Sequence, residues 1–177
     1  MLEIRKASLT DITALLGLIN AYASQEIMLP RTEFEMAENI RDFLAAFEDG
    51  RLVGCGALHF YTPTSGEVRS LAVEPGLKTK GIGRKLVEAL EAEARDHNLH
   101  ALFAFTYVPG FFRKLGFEEV DRGELPLKAW KDCLRCPKFQ ACDEIAMLKR
   151  LKAEAPAAPV HYPTEFTEIL QLPVLRK

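Results

Sequence analysis

Gly66-Glu67-Val68-Arg69-Ser70-Leu71-Ala72-Val73-Glu74-Pro75, followed by Lys78-Thr79-Lys80-Gly81-Ile82-Gly83-Arg84-Lys85-Leu86, is the stretch whose reading decides the fold. An alternating apolar run enters a short basic turn with two glycines, and the turn opens onto an amphipathic helix. The first amides of a helix have no intrahelical acceptor and carry the positive end of its dipole, so they attract phosphate oxygens. Gly81 and Gly83 let the backbone approach an anion with no Cβ in the way. Lys78, Lys80 and Arg84 bring positive charge to the same place. The expectation is a pyrophosphate-binding turn.

Upstream, Leu2–Ala7 alternates and reads as a strand. A helix with apolar positions Ile12, Leu15, Leu16, Leu18 and Ile19 follows, capped by Thr10 or Asp11. Thr32 with Glu35 three residues later is a capping-box pattern for a second helix that runs to about Asn39 or Ile40. Asp42–Phe47 and Arg51–Tyr61 read as strands joined through Asp49-Gly50, a hairpin turn signal. The Glu67–Val73 strand follows a turn over Pro63 to Gly66. Its helix runs from about Gly83 to His97, with Leu86, Val87, Leu90 and Ala94 on one face.

Downstream, Ala101–Tyr107 is a continuous apolar strand expected to be buried on both faces. A short helix over Phe111–Leu115 should end at Gly116, with a strand starting at Phe117. A short helix around Lys128–Cys133 and an extended or helical Glu144–Leu151 complete the reading. The domain is expected to cover 1–151, its cysteine-bearing segment being 125–151, and 152–177 forms an apolar tail that docks on the domain or on a partner subunit.

The chain has 177 residues, 48% apolar and 27% charged, enough for one domain with a full core. Its 23 basic and 25 acidic side chains give a net charge of −2, so nothing draws the whole chain to nucleic acid or an anionic membrane. The basic turn is local and suits a small anion. No apolar stretch approaches the ~20 residues that span a bilayer, and the first residues lack a signal peptide's apolar core. A cytoplasmic protein is the expectation. Its four cysteines are then thiols or metal ligands rather than disulfides. Cys133, Cys136 and Cys142 are weak metal candidates, because one Cys-x-x-Cys lacks a second pair.

Two familiar phosphate loops fail on specific residues. Leu86 stands where a dinucleotide-binding Gly-x-Gly-x-x-Gly needs its third glycine, and the Gly-Lys-Ser/Thr of a P-loop is absent. The pattern at 71–83 instead resembles the coenzyme A pyrophosphate loop of the GNAT superfamily of N-acetyltransferases, with Lys78 where Arg or Gln is usual. Ala101–Tyr107 with Phe111–Phe117 is similar to that family's second signature, and the likeness covers roughly residues 2–122. Leu29-Pro30-Arg31, Val53–Leu58, Glu67–Val73, Phe111-Phe112 and Leu125-Pro126 before Trp130, Cys133 and Cys136 look like the acetyltransferase domain of bacterial N-acetylglutamate synthases in short, stand-alone form.

The resemblance implies a mixed, mostly antiparallel central sheet flanked by helices, of α+β or α/β class. It implies acetyl-CoA as cosubstrate and L-glutamate as acceptor, the opening step of arginine biosynthesis. The coenzyme contacts it implies are Leu71, Ala72, Val73, Lys78, Thr79, Lys80, Gly81, Ile82, Gly83, Arg84 and Phe112, with a backbone amide near Leu71 as oxyanion donor. Arg31 matches the substrate-loop arginine of those synthases. Arg69 and Ser70 are further substrate-binding candidates beside the reaction strand.

Glu67 is the candidate base, four residues before Leu71 and so on the same face of an even strand. His59 is an alternative base on the adjacent strand. Phe112 stands where many GNAT members place an acidic tyrosine, so the general acid is open, with Tyr107, water or direct thiolate release as substitutes. The competing readings are a GNAT enzyme for another small amine or a protein N-terminus, and a non-catalytic acyl-CoA-binding regulator. A homodimer is left open.

Overall fold

Long-range strand pairing sets the architecture. The computed structural model describes residues 1–125, 136, 138 and 141–152. Its seven strands are β1 (Leu2–Lys6), β2 (Phe43–Glu48), β3 (Arg51–Thr62), β4 (Ser65–Val73), β5 (Ala101–Thr106), β6 (Glu118–Glu119) and β7 (Ile145–Arg150). They form one sheet in the order β1-β2-β3-β4-β5-β7-β6. Only β4 and β5 pair in parallel among these strands; the other pairings are antiparallel. Among the described residues the α-helices are α1 (Ile12–Ala23), α2 (Glu33–Asn39), α3 (Ile82–Asp96) and α4 (Pro109–Arg113).

Local chemistry explains where these elements begin and end. Asp49 and Gly50 both have positive φ, at 51° and 79°, the geometry a two-residue hairpin loop requires between Glu48 and Arg51. Thr32 and Glu35 make the capping box, with the Glu35 amide donating to Thr32 Oγ1 at 3.2 Å and the Thr32 amide to Glu35 Oε2 at 2.9 Å. Asp11, one of the two expected caps, holds the N-cap position without a side-chain cap hydrogen bond at the entry to α1. A 3-10 turn over Leu9–Asp11 precedes it, Ser8 is that turn's cap, and the Asp11 carboxylate accepts from the Ser8 amide at 2.7 Å. Ile145–Arg150 resolves as a strand because it fills the place beside β5.

The sheet is covered on both faces. On one, α3 contributes Ile82, Leu86, Val87, Leu90 and Ala94 to a core that includes Val68, Val73, Leu102 and Phe112. Gly54 and Gly56 allow that close seating. A Cβ at Gly54 would lie 3.1 Å from both Ile82 and Leu86, and one at Gly56 would lie 3.1 Å from Leu71. On the other face, Ile12, Leu15, Ile19 and Tyr22 of α1 and Met36 of α2 pack on Phe43, Ala45, Cys55, Ala57 and Ala72. A smaller cluster of Tyr61, Phe103, Leu125 and Ala146 lies further along the sheet.

Candidate active site

The centre of the site is a defect in β4, the middle strand. Ala57 pairs with Arg69 and Cys55 with Ala72, so β4 carries one extra residue opposite β3. Ser70 absorbs it in the left-handed region, with φ of 51°. The bulge corrects an expectation about faces. Even alternation would place Glu67 and Leu71 together; the extra residue turns Leu71 onto the α3 face, where its side chain reaches the position a Cβ on Gly56 would occupy. Glu67 and Arg69 pair with His59 and Ala57 and share the opposite, α1–α2 face.

The second feature is a splay between β4 and β5. Their parallel pairing runs over Ser65, Gly66 and Glu67 against Ala101, Leu102 and Phe103, and stops there. Among the described residues the β4–β5 ladder ends at Glu67, so the two strands part beyond it, and at the far end the Val73 carbonyl accepts from Tyr22. The slot leads to the start of α3. Gly81 there is left-handed, with φ of 77°, and no side chain caps the helix. The Lys85 amide already bonds the Gly81 carbonyl at 3.1 Å, which leaves the preceding helical amides facing outward. Lys78, Thr79 and Lys80 lie on a 3-10 stretch over Pro75–Lys80 that leads into this point. A Cβ on Gly83 would meet Phe111 at 3.5 Å, an ordinary contact, so the fold itself does not demand glycine there.

The cations at this end are already placed. Lys80 Nζ is 3.5 Å from Glu48, Arg84 is 3.8 Å from Glu88, and Lys78 Nζ lies over the Tyr22 ring at 4.9 Å. Tyr22 also donates its hydroxyl to the Val73 carbonyl, tying α1 to the end of β4. Ala72, Val73 and Ile82 have buried side chains, so their contribution to a ligand would come from backbone. Phe112 is also buried, edge-on to Phe111 and Phe117, and the ring that reaches the start of α3 is Phe111.

On the α1–α2 face a polar strip separates two apolar clusters. His59 Nδ1 is 2.6 Å from Asp42 Oδ2. Asp42 is also 3.8 Å from the Arg69 guanidinium, whose side chain is only 9% exposed, and Arg69 reaches Asn39 Oδ1 at 3.5 Å. Arg31 belongs to this side of the sheet through Asn20 of α1. The Asn20 side chain accepts from the Arg31 amide at 2.9 Å and donates to its carbonyl at 3.0 Å. Asp42, Asn39, Asn20 and Tyr22 escaped the sequence reading. Each acts through a partner far along the chain, and none lies in a motif.

Two groups are unsuited to chemistry. Burial pushes the Cys55 thiol up to about 12, and its Sγ contacts the Ser70 carbonyl at 3.6 Å beneath the bulge. A thiol so rarely ionised is no nucleophile. Burial, then a hydrogen bond to Asp143, raises the Tyr107 phenol above its ordinary value, which makes it a weaker acid than a free tyrosine. Cys133 lies outside the described residues, as does the proposed helix around Lys128–Cys133. Cys136 and Cys142 are free, half-buried thiols. Among the described residues no group of three or more metal-capable side chains converges, and no helix is long and apolar enough to cross a membrane.

Residues 10–117 match the model of the acetyltransferase (GNAT) family. The chain is 43% identical to an uncharacterized N-acetyltransferase of Chlorobaculum tepidum over 84% of its own length and 96% of the relative's. It is 35% identical to an amino-acid acetyltransferase of Mycobacterium tuberculosis over 67% of this chain and 69% of that one. Its fold superposes with a TM-score of 0.79 and 28% identity on the N-acetylglutamate synthase of Neisseria gonorrhoeae, solved with coenzyme A and N-acetyl-glutamate. That likeness covers 86% of this chain and 35% of the synthase.

Proposed function

From a chain that belongs to the GNAT acetyltransferase family, and so uses acetyl-CoA as its cosubstrate, we propose an enzyme that acetylates the α-amine of L-glutamate. The product is N-acetylglutamate, which would place the enzyme at the start of arginine biosynthesis. The observation that carries this reading is the clamp of Asn20 on Arg31. It ties the backbone of a cationic loop residue to α1, which packs on the sheet face that carries Glu67, and a dicarboxylate needs a counter-charge there. Arg69 lies 3.8 Å from Asp42 on that face, and Arg31 is the cation proposed to take a substrate carboxylate.

Acetyl-CoA supplies the acetyl thioester. The edge of β4 beyond its ladder with β5 suits the extended arm of the coenzyme, and the start of α3, with Lys78 to Arg84, suits its diphosphate. Glu67 removes the proton from the ammonium of glutamate, directly or through water, so that nitrogen can form the amide bond as the carbon–sulfur bond breaks. A β4 amide at the bulge stabilises the carbonyl oxygen, and orientation of both reactants along one strand supplies much of the rate. The attacking nitrogen loses its second proton as the amide forms, and water carries it to the leaving sulfur, because Phe112 has no proton to give and Tyr107 is a weakened acid.

Thiol release from acetyl-CoA across the twenty amino acids tests the reading. Glutamate should be strongly preferred. Arg31→Ala should lower kcat/KM for glutamate by roughly 10- to 100-fold, the worth of a charge-assisted pair. Unchanged glutamate kinetics in that variant, or preference for an amine without a carboxylate, would overturn it.

A further inference from the structure

We infer that Asp42 and His59 form a proton relay behind Glu67, carrying away the proton that the acceptor amine loses. The inference rests on the acetyl-transfer reading above and adds residues to it.

Three observations carry it. The first is orientation. His59 Nδ1 is 2.6 Å from the Asp42 carboxylate, an acceptor in its ionised form, so the neutral ring keeps its proton on Nδ1 and its lone pair on Nε2. The second is register. His59 and Glu67 are direct partners across the antiparallel β3–β4 ladder and share a face, with Cβ atoms expected about 4.5–5.5 Å apart. The third is access. The His59 side chain is 28% exposed and Asp42 27%, so a proton received at Nε2 has a route to solvent.

The groups facing His59 are of known sign. Asp42 from the turn before β2 and Glu67 from β4 are acidic side chains. Arg69 on β4 is a cation 3.8 Å from Asp42. Tyr61 presents its ring edge-on at 5.0 Å.

The steps balance without a further reactant. The ammonium N–H proton passes to a Glu67 oxygen, either directly or across one water. It then passes to His59 Nε2, giving an imidazolium held by Asp42, and leaves from that ring to water. Glu67 is returned as carboxylate for the next turnover. His59 touches neither the acetyl group nor the amine, so it is a positioning residue for the base, not itself the base.

The test reads His59 directly. Nitrogen-15 spectra of the imidazoles, with His59 assigned by its loss in His59→Gln, should show the proton on Nδ1 in the native protein. Asp42→Asn should scramble that tautomer, and Glu67→Gln should shift the His59 Nε2 resonance, because the two residues are partners across the ladder. A His59 Nε2 resonance untouched by Glu67→Gln, or a tautomer with the proton on Nε2, would overturn the relay even if no amine were ever acetylated. In the thiol-release assay, His59→Gln should lower kcat by about 10- to 100-fold with a displaced acid limb of the pH profile, while KM for acetyl-CoA stays as in the native enzyme. A pH profile that superimposes on the native one would also sink it. Absence of turnover in the native protein with every amine would reject the glutamate reading and leave the spectra to decide the relay.

Discussion

The two ends of β4 are built on opposite principles. At its C-terminal end the groups proposed to meet a ligand are backbone: the strand edge beyond the β5 ladder, a left-handed Gly81 and the first amides of α3. At the middle of the strand they are side chains, positioned by partners from elsewhere in the sequence. Asp42 meets His59, Asn39 meets Arg69, and Asn20 holds Arg31. The backbone end depends on conformation and tolerates changes of side chain. The side-chain end depends on identity, and there a one-atom change removes a charge or a proton acceptor.

The sharpest way to break this comparison is Glu67→Gln. If the middle of β4 does the proton chemistry, kcat should fall by about 10²- to 10⁴-fold, the usual worth of a positioned base. Calorimetric binding of coenzyme A should be unchanged, because the backbone end is intact. Loss of coenzyme binding along with turnover would show that the two ends are not separable.

This division also explains what was legible. The end proposed for the coenzyme is local: glycines, lysines and a helix start within a dozen residues can be read from order alone. So can the Asp49-Gly50 hairpin and the Thr32–Glu35 capping box, each closed by neighbours in sequence. The bulge could not be read. Ser70 looks like any strand residue until the β3 register forces an extra residue opposite Cys55 and Ala57, and that flips Leu71 away from Glu67. Asp42 was equally hidden. It sits at the end of a helical turn beside an ordinary strand, and only the folded pairing brings it to His59, 17 residues on.

A mid-sized effect tests whether the side-chain end needs its scaffold. Asp11 is nearly buried at the entry to α1, bonded to both terminal nitrogens of Arg5 at 2.8 and 3.0 Å and to the amide and hydroxyl of Ser8. The Arg5 guanidinium first, then Ser8, hold its carboxyl well below the usual range against the opposing effect of burial. A depressed carboxyl stabilises the fold fully above its unfolded value near 4, and that contribution is lost as pH falls through the folded value. Asp11→Asn should therefore cost about 2 kcal/mol at pH 7 in urea unfolding, and the gap to the native protein should shrink below about pH 4. A gap independent of pH would mean the charge is not what matters.

The smallest effect is expected at the backbone end, from Gly83→Ala. In the ligand-free protein a Cβ there sits 3.5–3.6 Å from Phe111 and Val73, so the fold has room, and Gly83 is inside α3 where alanine is the better helix former. Thermal stability should be equal to or slightly above that of the native protein. An anion drawn up to the α3 amides would meet the added methyl, so KM for acetyl-CoA should rise by roughly tenfold, about 1.4 kcal/mol, while kcat at saturation holds. Gly81→Ala separates space from conformation. Nothing lies within 4 Å of its Cβ, but its φ of 77° strains any side chain, so its penalty should appear as lost stability of about 1 kcal/mol in the absence of any ligand. If both variants lost stability alike and neither changed the KM, the glycines would serve the chain's own turn, and the diphosphate would have to be held by Lys78, Lys80 and Arg84 instead.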